Sequence, residues 1–413
     1  MKETVKIGLL GFGTVGYGVY DILKNNQEKY ASLTQTNIEV SKILVHDTAA
    51  FPEALAAGIP LTDQFEEIAQ DDSISIVVEV MGTVDVARNF ITKALNSGKN
   101  VVTANKDLLA VHGEELYELA EKVGKDLYFE ASVAGGIPIL RALNVSYIGD
   151  NLQEVLGIVN GTTNFMLTKM QEEHYSYADA LALAQQLGFA EKDPTGDVEG
   201  LDAARKVVIL TKLAFGKTIT MEQLPTTGIS ALDLADFERA KALGYTIKLI
   251  GSSKVVDGHL NVEVAPMLVP SDHPLAHVKN ENNAVYVTGE AVGETMMYGP
   301  GAGRMPTANS VVADILQVAK NIKENRTGKG LPIITSDVVL GQANPTYTDV
   351  LLRFKQVENQ GLTFAHPQLT QLDSADGKGY IHASQVSKQE LEAIKDQLEK
   401  NHQLVFEAVY QSI

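Results

Sequence analysis

The apolar positions of the first third of the chain fall in short runs separated by amphipathic stretches. VKIGLL (5–10) reads as a buried strand, and VGYGVYDILKNN after it as a helix. IEVSKILV (38–45), ISIVVEV (74–80), NVVTA (100–104) and LYFEASV (127–133) repeat the strand signature, with helical patterns over 85–97 and Lys106–Val123 between them. Regular alternation of this kind predicts an α/β fold with a doubly wound parallel sheet, whose ligands bind beyond the carboxyl ends of the strands.

From about residue 150 the pattern changes. LQEVLGIVN (152–160) predicts a strand, and GTTNFMLTKMQEE a helix capped by Thr162 or Thr163. A helix over 177–187 leads into an acidic loop broken by Pro194, Gly196 and Gly200, and then into the apolar helix LDAARKVVILTKLAF. Strands over 245–251, 260–268 and 283–289 complete an α+β unit. The glycine-rich loop 298–303 precedes a helix capped by Thr307 or Asn309, which is expected to return to the first domain. KENRTGKGLP reads as a linker. In the tail, YTDVLLRFK, GLTFAH, GKGYIHASQV and HQLVFEAVYQ read as strands and SKQELEAIKDQLEK as a helix. The expected domains are 1–138 plus about 300–322 for a Rossmann-like dinucleotide-binding domain, 139–299 for a second, α+β domain, 323–345 for a linker, and 346–413 for a small C-terminal α+β domain.

Composition narrows the chemistry. A net charge of −18 argues against nucleic acid or an anionic membrane as partner, since both require a basic surface. With no cysteine, disulfides, thiolate metal sites and cysteine nucleophiles are excluded. The N-terminus shows no charged region followed by an apolar leader, so a cytoplasmic location is expected.

Several stretches carry candidate chemistry. Gly11-Phe12-Gly13-Thr14-Val15-Gly16 follows the first strand and opens a helix, the setting in which a G-x-G-x-x-G turn holds a pyrophosphate on helix N–H groups. Asp47, past the second strand, is placed to meet a ribose hydroxyl or simply to start a turn, and with no arginine adjacent the choice between NAD and NADP stays open. Lys106 stands at the end of the fourth strand, facing the expected cofactor crevice. The turn SVAGGIPILRAL beside Glu130 offers backbone carbonyls to a hard cation, or serves only to cross between domains. Farther on, Asp202 and Lys206 lie four apart on one helix face. Taken alone they read as an exposed ion pair; beneath the loop that carries Glu191 and Asp197 they read as a substrate site. His273 and His277 have metal-pair spacing, but Pro274 lies between them and no glutamate follows His273.

These motifs, taken in order, resemble homoserine dehydrogenase over residues 5–320. The resemblance rests on GFGTVGYGV (11–19), TANKDLLA (103–110), EASVAGGIP (130–138), NGTTNFML (160–167), EKDPTGDVEGLDAARKVVILTKLAFG (191–216) and GPGAGRMPTANSVVAD (299–314). It implies reversible, NAD(P)-dependent interconversion of L-aspartate 4-semialdehyde and L-homoserine, with NADP the favoured cofactor, in a homodimer or homotetramer. Lys206 would donate and accept the proton at the reacting oxygen, and Lys106 would assist or orient. Glu191 and Asp202 would bind the amino acid, with Asp197 in support. Phe12, Thr14, Val15, Gly188, Glu191 and Gly303 match positions near the cofactor. A sodium-like ion would sit at Glu130, Val133, Gly135 and Ile137, mainly on backbone oxygens. Thr83 and Asp85 stand where the family usually has glycine and proline. The tail occupies the place of an ACT regulatory domain, although VENQGLTF replaces the Asp-x-Pro-Gly effector loop after Phe354. An aspartate-semialdehyde dehydrogenase of the phosphorylating type is excluded, because it needs a cysteine.

Overall fold

The structure is a computed structural model that describes residues 3–329, 337–341, 348–356, 368–375, 378–402 and 404–413. The chain forms two compact units: Met1–Asp150 with Val208–Met221 and Gly299–Thr335, and Asn151–Val207 with Glu222–Tyr298 and Ser336–Ile413.

In the first unit, β1 (Thr4–Leu10), β2 (Asn37–Leu44), β3 (Leu61–Thr62), β4 (Ile74–Glu79), β5 (Asn100–Thr103) and β6 (Leu127–Tyr128) form one sheet in the order β3-β2-β1-β4-β5-β6. Every pairing is parallel. The apolar runs form these strands because the inner ones are covered on both faces: Ile7, Leu9, Ile76, Val77, Val78, Val101 and Val102 are all fully buried. The chain leaves β1 toward β2 on one side and reaches β4 on the other, so the order reverses between β1 and β4, the place where such sheets bind ligands. The helix Arg304–Lys323 does return to this unit. It packs on the helix Thr14–Asn25 so closely that a Cβ at Gly18 would lie 2.9 Å from the Ala308 Cβ.

Three local expectations need correction. The strand expected over 127–133 stops at Tyr128, because Glu130–Ser132 turns as a 3-10 helix to bring the Glu130 carboxylate onto the backbone of residues 140–141. The helix Gly161–Glu173 is capped by Asn160, not by Thr162 or Thr163: Asn160 Oδ1 accepts from the Thr163 N–H at 2.8 Å. The helix after the second glycine-rich loop starts at Arg304 behind Gly303, which supplies no side-chain cap, and so Thr307 and Asn309 lie inside it. Pro306 is tolerated there because the first turn of a helix needs no N–H from it.

In the second unit, β7 (Leu152–Ile158), β8 (Tyr245–Val256), β9 (His259–Pro270), β10 (Asn282–Gly289), β11 (Gly293–Pro300) and β12 (Val339–Leu340) form a mixed sheet in the order β11-β10-β7-β8-β9-β12. The last strand lies within 323–345, where a linker is expected, and runs parallel to β9. A second, antiparallel sheet is built from β13 (Thr348–Gln356), β14 (Leu369–Ala375), β15 (Lys378–Val386) and β16 (Leu404–Gln411), in the order β14-β15-β13-β16. Leu391, Ile394 and Leu398 of the helix Lys388–His402 close its core against Val350, Leu352 and Ile381. The strand expected at GLTFAH lies outside the described residues. Among the described residues no helix is long and apolar enough to cross a membrane.

Candidate active site

The second unit gathers three of the expected site residues around one side chain that the sequence reading did not single out. Lys206 and Asp202 lie on the helix Leu201–Phe215. Each is only 9% exposed, so the pair is not the surface ion pair that its spacing alone suggests. Lys206 Nζ donates to Asp202 Oδ2 at 2.7 Å and to the Val159 carbonyl at 2.7 Å. Asn160 Nδ2 donates to the same Asp202 oxygen at 2.8 Å and to Asp197 Oδ1 at 2.7 Å. Val159 and Asn160 directly follow β7, so the end of one strand fixes both the lysine and the two carboxylates.

The Asp197 carboxyl is pushed above its ordinary value, first by burial and further by Asp202; the Asn160 amide and Lys206 oppose the shift. Glu191 is exposed on the loop before this cluster, and its backbone carbonyl accepts from Gln185 Nε2 at 3.0 Å. Gly188 ends the helix Tyr177–Gln186 with φ of +78°, a left-handed turn that suits glycine. Asn160 was legible in principle: an Asn-Gly-Thr-Thr run at a strand-to-helix junction is a cap signal, and the asparagine is the stronger capping residue. Asn160→Ala is expected to cost about 1–2 kcal/mol through the lost cap, read as a lower midpoint in denaturant unfolding; an unchanged midpoint removes Asn160 from this role.

The first unit supplies a cradle. Gly11 has φ of +101°, and a Cβ on Gly16 would fall 2.1 Å from the Gly11 carbonyl oxygen, so the turn closes only with glycine there. Gly13 is the N-cap of the helix Thr14–Asn25, makes no side-chain cap and has open space where a Cβ would point. The first N–H groups of that helix are therefore presented as a phosphate site requires. Thr14 is exposed and Val15 half-buried. The Phe12 ring is spent on an aromatic cluster with Tyr17, Tyr20 and Phe51, at centroid distances of 5.6–5.9 Å. Gly303, with φ of +115°, precedes a second helix without a side-chain cap, and the Arg304 guanidinium lies 5.2 Å from the Tyr17 ring centre. Asp47 accepts from the Ala49 N–H at 2.8 Å, so its carboxylate starts the turn beyond β2. Lys106 opens the helix Lys106–Val123 behind its cap Asn105, with Nζ 3.9 Å from Asp107 Oδ2.

At the turn after Glu130, Glu130 Oε1 and Oε2 accept from the Leu140 and Arg141 N–H groups at 2.8 and 2.7 Å. The carboxylate is thereby occupied, and an ion there would rest on backbone oxygens. Gly135 O accepts from Ser310 Oγ at 2.7 Å and Ile137 O from the Ile139 N–H at 2.8 Å, each keeping a second lone pair. Val133 is fully buried beside them. Burial and the mutual charge raise the Glu130 carboxyl, and burial raises Asp314 despite its bond to Arg141 Nη2 at 2.7 Å. Two buried acids against one guanidinium is a setting that a monovalent cation fits. Among the described residues no three His, Cys, Asp or Glu side chains are grouped to hold a metal; His273 instead accepts from the Leu275 N–H at 3.2 Å as a helix cap.

Comparison with known proteins agrees with both halves. Residues 11–130 match the family model for the homoserine dehydrogenase NAD-binding domain, and residues 138–316 match the model for homoserine dehydrogenase. A homoserine dehydrogenase from Lactococcus lactis is 42% identical over 412 residues, covering 96% of each chain. The crystal structure of a homoserine dehydrogenase from Thiobacillus denitrificans superposes with a TM-score of 0.89 at 33% identity, covering all of this chain and 98% of that one. A hyperthermophilic archaeal homoserine dehydrogenase in complex with NADPH superposes with a TM-score of 0.65 at 28% identity, over 76% of this chain and 97% of its own. With a glycine cradle in an NAD-binding domain, a buried lysine held by a carboxylate and a backbone carbonyl, and a relative matched over 96% of each chain, the chain belongs to the homoserine dehydrogenase family, oxidoreductases that act on a CH–OH group with NAD(P).

Proposed function

We propose that Lys206 is the proton donor and acceptor in the interconversion of L-aspartate 4-semialdehyde and L-homoserine. The observation that carries this is the hydrogen bonding of its ammonium. Two of its three N–H donors are spent on Asp202 and the Val159 carbonyl, which leaves one for a reacting oxygen. As the aldehyde is reduced, negative charge grows on that oxygen, and an oriented ammonium in a buried site both stabilises the charge and delivers the proton. The bound cofactor supplies the hydride. Asp202 keeps the ammonium aimed, and with Glu191 it holds the substrate's amino group; Asp197, tied to the same asparagine, supports them. Lys106 is the second proton-handling or orienting group.

The dinucleotide is held by Gly11, Phe12, Gly13, Thr14, Val15 and Gly16, with Lys106, Gly188, Glu191 and Gly303 contributing. NADP is the favoured form, in line with the NADPH-bound archaeal relative. A sodium-like cation rests on the backbone oxygens of Glu130, Val133, Gly135 and Ile137. Functionally, the division is 1–138 plus about 300–322 for cofactor, 139–299 for substrate and dimerisation, 323–345 as connector, and 346–413 as an ACT-like domain. The strand order β14-β15-β13-β16, with a helix between the third and fourth strands in sequence, supports the ACT-like reading. The working form is a cytoplasmic homodimer or homotetramer.

Mixing the purified protein with homoserine and either NADP or NAD tests this directly. Absorbance should rise in the reduced-nicotinamide band, faster with NADP; no rise with either sinks the reading. Repeating the assay with threonine tests whether the tail is an effector domain, and light scattering with and without sodium tests assembly and the cation.

A further inference from the structure

The last residue of β4 is a carboxylate in a place where the strand is otherwise almost wholly apolar. Glu79 is fully buried, which raises its pKa, and all four groups that hold its charge are neutral donors. Oε1 accepts from the Met81 N–H at 2.8 Å and Oε2 from the Thr103 hydroxyl at 2.6 Å; the Gly82 N–H and the Asn105 side chain act on the same carboxylate. Burying a carboxylate on neutral donors costs several kcal/mol relative to an apolar residue, so a purely structural strand end does not call for one.

Its position explains what that cost achieves. Glu79 is paired in register with Leu10 on one side and Thr103 on the other, directly at the reversal of strand order. Thr103 Oγ1 in turn accepts from the Asn105 N–H at 3.0 Å. Asn105 caps the helix that starts at Lys106, and its Nδ2 donates to the Thr83 carbonyl at 2.7 Å. One carboxylate thus ties together the loop 81–83, the turn 103–105 and the base of Lys106. The backbone of the next residue borders the glycine turn, since a Cβ on Gly11 would lie 3.1 Å from the Val80 carbonyl oxygen.

We propose that Glu79 is a positioning residue of the dinucleotide crevice, setting the loop 81–83 and the start of the Lys106 helix against each other so that both meet the cofactor in one fixed geometry. This rests on the assignment of the crevice to a nicotinamide dinucleotide. The test uses the full chain and the variants Glu79→Gln, Thr103→Val and their double. Glu79→Gln keeps the shape of the side chain and removes the charge. Thr103→Val breaks the same link from the other side. In each single variant the dissociation constant for reduced dinucleotide, followed by its fluorescence, is expected to rise about tenfold or more, the effect of one charge-assisted hydrogen bond. Exchange of the Met81 amide should quicken, kcat should fall, and KM for homoserine should stay within about threefold, because the substrate residues are untouched. The double variant should lose no more than the worse single one, as expected for one network. Dinucleotide affinity and kcat within twofold of wild type in Glu79→Gln, or single losses that multiply in the double, overturn the proposal. A wild-type chain that binds no dinucleotide overturns the crevice assignment itself and is read separately from any loss in the variants.

Discussion

Lys206→Ala is expected to lower kcat by about 10²–10⁴-fold, the range of a lost general acid–base group, while leaving the dinucleotide dissociation constant nearly unchanged. The separation follows from where the residue stands. Its bonds go to Asp202 and Val159, whereas the glycine turn proposed to hold the phosphates lies on another part of the chain. The variant also removes a donor from two buried acceptors. Asp202 keeps Asn160 Nδ2 at 2.8 Å, but the Val159 carbonyl loses the lysine, so a stability loss of about 1–3 kcal/mol accompanies the kinetic one. Unfolding midpoints measured beside the kinetics keep the two apart. Lys206→Arg sharpens the test: it restores charge, but a guanidinium does not give up its proton near neutral pH, so homoserine oxidation should remain slow even where the fold is rescued. Turnover in Lys206→Ala within about tenfold of wild type removes the lysine from the proton transfer.

The legibility of this fold in its sequence depends on the kind of signal. The parallel sheet was legible because its buried strands are continuous apolar runs, and Ile74–Glu79 or Asn100–Thr103 have no other way to be satisfied. The two-residue strands Leu61–Thr62 and Val339–Leu340 were not, since two residues carry no period. The end of the expected strand at 127–133 failed for a different reason. Periodicity cannot register that Glu130 turns to accept two backbone N–H groups and donates its own N–H to Asp314, 184 residues away in sequence.

The site shows the same division. The family-like motifs pointed to Lys206, Asp202 and Asp197, and local spacing placed the first two on one helix face. What spacing could not supply was burial, which turns an exposed pair into a constrained one, or Asn160, which reaches that pair across 42 residues of chain. Glu79 was hidden by its strand: within ISIVVEV nothing marks it as buried and hydrogen-bonded, and only the pairing of β4 with β5 brings it onto Thr103.

Arg353→Met should be the most destabilising single change in the C-terminal part of the chain, at about 3–5 kcal/mol, the cost of stranding a buried charge. Asp236, fully buried on the helix Leu234–Ala242, accepts from Arg353 Nη1 at 2.5 Å, Tyr410 OH at 2.8 Å, Tyr380 OH at 3.0 Å and the Asp233 N–H at 2.8 Å. Arg353, Tyr380 and Tyr410 all belong to the sheet β14-β15-β13-β16, so one carboxylate fastens that sheet to the helix. Asp233 pairs with Lys378 beside it, and Glu407, 3.4 Å from Arg353 Nε, keeps Lys355 at 2.8 Å when the arginine is lost. Burial already raises the Asp236 carboxyl, and the Arg353 charge is the largest influence holding it down. A raised carboxyl contributes stability that is present below its unfolded value and lost as pH rises through its folded value. Removing Arg353 lifts the folded value further. The deficit of Arg353→Met should therefore be smallest near the unfolded carboxyl value of 3.8 and grow with pH through the widened window. Asp236→Asn in the same chain removes the stranded charge, so the double variant should regain much of the loss and its deficit should no longer grow with pH. Denaturant unfolding of the four proteins across that window decides the matter: a deficit independent of pH, or a double variant no more stable than Arg353→Met, shows that Asp236 and Arg353 do not act as a pair.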